Sequence, residues 1–305
     1  MEILGKTNID FIGKQKIAFA ISIIISIIGI IGIIQIARGT ANMGIDFSGG
    51  TAMQIKFEKP FQISEARVAL HKHGIAKADL QEIKDGNKLL VKIAGATVGK
   101  SSEAVQEAFK KEFAGNPFVV ESNTEIGPSI GDKLRKDTLI AVALSLVGII
   151  LYIAWRFDFK FGIGATLATA HDCLAMFAAF YLLHREINLL FITAVLTIAG
   201  YSLTDTVVVF DRIRENMHKD MKGSLTSIFN YSINEVLSRT IITSVTTFIA
   251  AASLFFLGGE VIHDFSLALL VGILVATYSS VFVASPIVVL LEQRALAKQG
   301  PSAAV

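Results

Sequence analysis

Six runs of apolar residues divide the chain into lengths of about 18 residues or more, the length that crosses the hydrocarbon core of a bilayer as a helix. They are Ile17–Ala37, Thr138–Trp155, Phe161–Leu183, Ile187–Phe210, Thr240–Leu257 and Phe265–Leu291. The second is short and the sixth is long, which predicts tilt or mismatch. Between the first two runs the pattern changes to that of a soluble module. Within Ile45–Phe57, Met53-Gln-Ile-Lys-Phe alternates as a half-buried strand does. Ser64–Lys72 predicts a helix with Ser64 as its N-cap. Asp79–Lys84 and Lys88–Ile93 read as strands joined through Asp85-Gly86-Asn87. Ser101–Phe113 predicts a second helix with Val105, Ala108 and Phe109 on one face, and Phe118–Val120 opens a last strand.

The order β-α-β-β-α-β is that of the ferredoxin-like split unit. The predicted fold class is therefore an α-helical polytopic membrane protein with six transmembrane helices and one small external α+β (ferredoxin-like) domain between helices 1 and 2. Residues 1–37 form the N-terminus and first span, 38–137 the external domain with a hinge at Gly127-Pro128-Ser129-Ile130-Gly131, 138–291 the other five spans with a loop at 211–239, and 292–305 a tail. Residues beyond Gln299 are small or polar and predict disorder. In Arg212–Ser238 the positions Phe229, Ile233, Val236 and Leu237 recur at helical spacing, predicting a helix lying along the inner interface.

The 305 residues are 52% hydrophobic and 18% charged, with mean hydropathy +0.59, and the excess sits in the runs rather than being spread as in a soluble core. Basic residues cluster on alternate flanks: Lys6, Lys14 and Lys16; Arg156 and Lys160; Arg212, Arg214, Lys219 and Lys222; Arg294 and Lys298. The opposite short connections hold only Arg185. Positive flanks stay inside, so both termini are expected in the cytoplasm and 38–137 outside. The first run exceeds a signal-peptide core and no small-x-small site follows, which predicts an uncleaved anchor. The single cysteine, Cys173, lies in the third span, so disulfides play no part in the expected external domain. Net charge is +2 without a basic stripe, which points away from nucleic acid.

Asp205 stands out, since a carboxylate near mid-bilayer costs at least about 2.5–3.5 kcal/mol on insertion scales and marks a proton or ion path by default. It lies about 9 Å along the helix axis from Asp211. Tyr201, Ser202, Asp205 and Arg212 share a helical face, and Thr204 and Thr206 flank the carboxyl group, where hydroxyls can hold a water chain. Burial disfavours a charged carboxylate and a cation favours it, so a moving cation can switch the proton. Arg239, at the head of the fifth span, is the candidate cation. It either faces Asp205 or snorkels to the interface. His171-Asp172 in the third span either relays protons or binds adjacent helices as a buried hydrogen-bonded pair. With Cys173 it lacks metal-site spacing. Gly44-Ile-Asp-Phe-Ser-Gly-Gly-Thr51 has neither the lysine of a GxxxxGK loop nor the GxGxxG spacing, and reads as a glycine-rich turn with Gly49, Gly50 and the carboxylate of Asp46. Nothing in the motifs points to an enzyme, a metal or a cofactor other than protons as the coupling ion.

These residues resemble the SecF family of bacterial protein-export proteins, half-size relatives of the resistance-nodulation-division transporters. The resemblance is carried by Gly44–Thr51, Gly127–Gly131, His171-Asp172, Ala199-Gly-Tyr-Ser-Leu-Thr-Asp-Thr-Val-Val-Val-Phe-Asp-Arg-Ile-Arg-Glu-Asn216 and Leu237-Ser-Arg-Thr240, and it covers nearly the whole chain. It implies a partner, SecD, that completes a twelve-span unit using the proton-motive force to move or release preproteins after SecA and the SecYEG channel have acted, with YajC as a further partner. It maps the family's essential membrane acid onto Asp205 and its conserved arginine onto Arg239, in the bacterial inner membrane. The alternatives are a small-molecule exporter half of the same superfamily, which the small external domain disfavours, and a non-transporting scaffold, which has no need of Asp205.

The charge pattern sets the first test. A cysteine placed at Asn87 is expected to react with an impermeant thiol reagent from outside, one at Lys219 only from the cytoplasm, and Cys173 with neither. The reverse labelling pattern would refute the orientation.

Overall fold

The computed structural model describes residues 7–39, 42–76, 78–83, 86–95, 99–219 and 223–299. The features read from Lys6, Lys84, Asp85, Lys222 and residues 300–305 lie outside these. In chain order, a 3-10 turn Ile12–Lys14 leads into α1 (Gln15–Ala37), followed by α2 (Ile45–Ser48), β1 (Gly50–Phe57), α3 (Ile63–Lys72), β2 (Ala78–Ile83), β3 (Lys88–Ala94), α4 (Lys100–Glu112), β4 (Phe118–Ile126), α5 (Pro128–Arg156), α6 (Phe159–Leu182), α7 (Leu189–His218), α8 (Leu225–Leu257) and α9 (Glu260–Ser279), then a π-helical turn Ser280–Ala284 and α10 (Ser285–Gln299). The described residues form two compact units, one of residues 42–141 with 186–189 and one of the rest.

The smaller unit is a four-stranded antiparallel sheet in the order β2-β3-β1-β4. Sequential strands are not neighbours across α3 and α4, which is the split β-α-β arrangement. Alternation decides the faces: Met53, Ile55 and Phe57 of β1 and Leu89 and Val91 of β3 are buried, paired as Met53↔Val91 and Ile55↔Leu89. Ala66, Ala69 and Leu70 of α3 and Val105, Ala108 and Phe109 of α4 belong to the same buried cluster. The other face is polar, with Lys88 pairing Glu121 at 2.8 Å. The register shifts at Gln54/Ile55 on the β4 side, a bulge that bends this pair of strands. Glu125 of β4 accepts from the Gly99 N–H at 2.7 Å, at the start of α4, and its hydrogen bonds, first that of Ser102, hold its carboxyl below the usual carboxylate range. Ser64 is not the N-cap of α3. Gln62 holds that place without a side-chain cap, because the helix begins at Ile63, two residues before the position that a Ser64 cap implies.

The larger unit holds five of the six membrane-length helices found among the described residues, while α5 begins in the smaller unit. The interior is lined by small residues. α1 buries Ala18, Ser22, Gly29 and Gly32 and packs on α6. A Cβ on Gly29 would lie 2.2 Å from the Leu174 carbonyl oxygen, so only glycine permits this approach of the two backbones. Large apolar side chains point outward instead, among them Ile17, Ile24, Leu144, Leu151 and Ile249. An outer surface of this kind needs a hydrocarbon solvent, since helices satisfy their own backbone groups and lipid solvates the side chains.

Several elements outrun the apolar pattern. α5 begins at Pro128, ten residues before its apolar run, because proline suits the first helical turn, where no N–H is needed. Gly127–Gly131 therefore joins β4 directly to α5. α7 continues to His218 and α8 starts at Leu225, so the predicted interfacial helix is the first part of α8. Phe229 and Ile233 are fully buried in a cluster with Phe11, Ile12, Phe210, Ile213 and Val288, since a second apolar face is available to cover them. Asn230 Oδ1 accepts from the backbone N–H groups of Phe11 and Ile12, and Asn234 exchanges two hydrogen bonds with the backbone of Ile9. The long sixth run is broken by its π turn. Pro286 removes a backbone donor and crowds the carbonyl four residues back, and the widened turn accommodates it. Ser285 Oγ donates to the Ser280 carbonyl at 3.0 Å.

Replacing Phe109, fully buried, by alanine is expected to destabilise the smaller unit by about 3–5 kcal/mol. Faster amide hydrogen exchange along β1 and β3 would report it. Val68→Ala, at a side chain 55% exposed, should change exchange little.

Candidate functional site

Asp205 lies on α7 and is 8% exposed. One side of its carboxyl group meets a hydroxyl: Ser280 Oγ donates to Oδ2 at 2.6 Å. The other side opens on a cavity of about 230 Å³ lined by Tyr201, Thr204, Asp205, Val208, Arg239, Thr240 and Thr243. Among the described residues no ion pair within 4.0 Å joins Arg239 to Asp205, so the two line one cavity without the guanidinium gripping the carboxylate. The space exceeds the roughly 30 Å³ that one water occupies in the liquid several times over.

A hydroxyl chain leads away from this cavity. Tyr201 Oη donates to Ser244 Oγ at 3.2 Å, and Thr277 Oγ1 donates to the same oxygen at 2.7 Å. Thr204 returns its hydroxyl to the Gly200 carbonyl at 3.0 Å while lining the cavity. Thr206 does not line it. It lies two residues, hence about 200° of helix rotation, beyond Thr204, and its hydroxyl is buried with no hydrogen-bond partner among the described residues. Arg212 is also turned elsewhere, to Glu215 and Glu235, and the neighbouring Asp211 pairs with Arg156 at 2.6 Å.

His171 and Asp172 of α6 form a second buried polar centre. Asp172, wholly buried, accepts from Ser202 Oγ at 2.5 Å, Ser279 Oγ at 2.7 Å and His171 Nδ1 at 3.0 Å. Sequence reading located both acids but missed Ser279, Ser280, Ser244, Thr240, Thr243 and Thr277. The signal that marked some of them was a hydroxyl-rich patch, Thr277-Tyr-Ser-Ser280, in the middle of an apolar run and six residues before Pro286.

The glycine motifs gather in the smaller unit. The Gly44 N–H donates to the Ile187 carbonyl at 3.0 Å, and Asp46 Oδ2 accepts from the Leu189 N–H at 3.0 Å, at the first residue of α7. A carboxylate there satisfies an orphan donor and complements the helix dipole. Lys92 pairs with Glu186 of the same connection at 2.6 Å. Gly50 has φ +141, and a Cβ there would lie 2.2 Å from the Ile93 carbonyl oxygen. Gly131 presents its Cα to the backbone of Gly49, so that a Cβ in its place would come within 2.9 Å of the Gly49 nitrogen. Gly44–Thr51 and Gly127–Gly131 are thus two sides of one packed joint, with Pro128 close against Gly49.

Fold and site together define a polytopic membrane protein with ionisable groups inside its helix bundle and a ferredoxin-like domain between its first two spans. A family described as "Protein export membrane protein SecD/SecF, C-terminal" matches residues 105–294, and the "SecD/SecF GG Motif" matches 41–61. The chain is 54% identical over 301 residues to the protein translocase subunit SecF of Thermodesulfovibrio yellowstonii, covering 98% of this chain and 100% of that one. It is 39% identical to the SecF subunit of Calditerrivibrio nitroreducens, covering 95% and 96%. The crystal structure of SecDF from Thermus thermophilus, described as a translocon-associated membrane protein, superposes with TM-score 0.83 at 36% identity, over 94% of this chain and 39% of that one. The chain therefore belongs to the SecD/SecF family, and it corresponds to SecF subunits along their full length and to about two fifths of the SecDF chain.

Removing one hydroxyl from the chain that leads away from the cavity should alter the site without disturbing the fold. Ser244→Ala is expected to cost about 1 kcal/mol of stability and to speed exchange of the Tyr201 hydroxyl proton with solvent, since that hydroxyl loses its acceptor. Thermal unfolding checks the first and nuclear magnetic resonance of a labelled tyrosine the second.

Proposed function

We propose that the chain is the SecF half of a SecD–SecF pair that uses the proton-motive force to assist late preprotein translocation and release. The observation that carries this reading is Asp205, an intramembrane acid that meets a serine hydroxyl on one side and a cavity shared with Arg239 on the other. Asp205 carries the proton. Arg239 biases its charge through the cavity. The relatives named SecF and the likeness to SecDF support SecD as partner, in the bacterial inner membrane with both termini cytoplasmic and residues 38–137 external, as the basic flanks predict. SecYEG, YajC, SecA and preproteins are the further partners, and the role is non-enzymatic.

The energetics suit a switch that cycles. One charge moved through 100 mV supplies about 2.3 kcal/mol, roughly a fiftyfold bias between two conformations. That is enough to tip a balanced equilibrium and too little to reverse a strongly poised one, so several cycles per polypeptide are needed. Because Arg239 acts across a cavity and not as a bidentate fork, its charge matters more than its shape.

Asp205→Asn keeps size and hydrogen bonding but cannot cycle a proton. It is expected to insert and assemble with SecD and to lose the uncoupler-sensitive part of export at fixed ATP. Asp205→Glu should keep partial activity. Arg239→Lys should keep more activity than Arg239→Leu. Assembled Asp205→Asn that retains the uncoupler-sensitive component would sink the proposal.

A further inference from the structure

The two buried acids are tied to one dipeptide. Ser279 donates to Asp172 at 2.7 Å and Ser280 donates to Asp205 at 2.6 Å, and the two serines straddle the point where α9 gives way to the π turn. Consecutive helical residues point about 100° apart, so adjacent hydroxyls reach acids on two different helices, α6 and α7. Ser202, three residues before Asp205 on α7, donates back to Asp172 at 2.5 Å and closes the circuit.

The acids differ in how they are held. Asp172 is wholly buried and has three donors. Asp205 has the Ser280 hydroxyl and a cavity. Ser280 Oγ also lies 3.2 Å from the Thr277 carbonyl, but its shorter bond is to Asp205, where a hydroxyl can donate to a carboxylate oxygen or to the carbonyl oxygen of the protonated acid. The Ser280 donor therefore keeps an acceptor in both protonation states.

Resting on the proton-carrier reading of Asp205, we infer that Asp172 is a positioning residue: by holding Ser279 and Ser202 it sets the Ser280 hydroxyl against Asp205. Among the described residues the charged or titratable groups around the acid pair are Arg239 from α8, His171 and the free thiol of Cys173 from α6, Tyr201 on α7 itself and Tyr278 from α9, whose ring stands 6.2 Å from that of His171. Arg239 lines the cavity beside Asp205, while His171 directs its Nδ1 to Asp172. The link between the acids runs through the serines.

The test is the infrared carbonyl stretch of protonated Asp205 in the full-length protein assembled with SecD in membrane vesicles, assigned by its loss in Asp205→Asn. In Ser279→Ala and in Asp172→Asn this band should move to higher frequency, as the Ser280 hydroxyl is no longer held, and uncoupler-sensitive export should fall several-fold. Ser266→Ala, which removes a buried hydroxyl of α9 that donates to the Ile262 carbonyl, should leave the band in place. Ser279→Ala deletes a single oxygen and keeps the test open should Asp172→Asn fail to assemble. An unmoved band in assembled Ser279→Ala overturns the positioning role even where Asp205→Asn abolishes coupled export. A protein in which no band is lost in Asp205→Asn at any pH that preserves assembly removes the proton carrier and, with it, this inference.

Discussion

A carboxylate inside a helix bundle must find donors that the helices themselves do not supply, and this constraint organises the membrane portion of the protein. Every interior backbone N–H of a helix is already bonded to its own ladder, so compensation has to come from side chains short enough to fit between packed helices. Serine meets that need. Ser202, Ser279 and Ser280 place their hydroxyls within 2.5–2.7 Å of Asp172 and Asp205. Such distances fix the rotation and register of α6, α7 and α9 against one another. The alanines, glycines and serines lining these helices are the accompanying condition, because bulky side chains would keep the backbones too far apart.

The same constraint separates the two acids. Asp172 is enclosed by three donors and has nowhere to send a proton except along them. Asp205 borders a cavity that holds a cation and three hydroxyl-bearing threonines. An acid of the first kind suits a fixed post, and one of the second suits a site whose charge changes. The π turn belongs to this design: Pro286 disrupts the regular helix, and the turn that absorbs it begins at the serine that meets Asp205. In the smaller unit glycine does the corresponding work by close approach. Gly50 and Gly131 let three stretches of backbone pack at a joint where no side chain fits, and Asp46 uses the first N–H of α7 as its partner.

Much of this architecture is local in origin and legible along the chain alone. Apolar runs of membrane length set the six spans, period-two alternation in Met53–Phe57 set the buried face of β1, and the order of elements set the ferredoxin-like sheet. Asp205 was legible because an acid in an apolar run has no ready structural explanation. Helix ends were less so. Hydropathy ends where charges begin, but α7 and α8 go on through charged turns whose side chains pair with one another, as Arg212 does with Glu215 and Glu235.

Which side chains meet was a matter for the packed helices. Asp172 and Ser279 are 107 residues apart, and Asp205 and Ser280 are 75 apart, so no window of sequence carries their pairing. Phe229 and Ile233 show the same limit, since their spacing announced an apolar face but not whether lipid or protein would cover it. Thr206 and Arg212 show it in reverse: they sit near Asp205 along the chain, yet helix rotation turns them to other surroundings. The amino-acid order was enough for the elements, the membrane and the candidate acid, because periodicity and burial cost are properties of short segments. The partners of that acid were settled only when the helices came together, because a hydrogen bond between side chains depends on rotation and register that no single segment encodes.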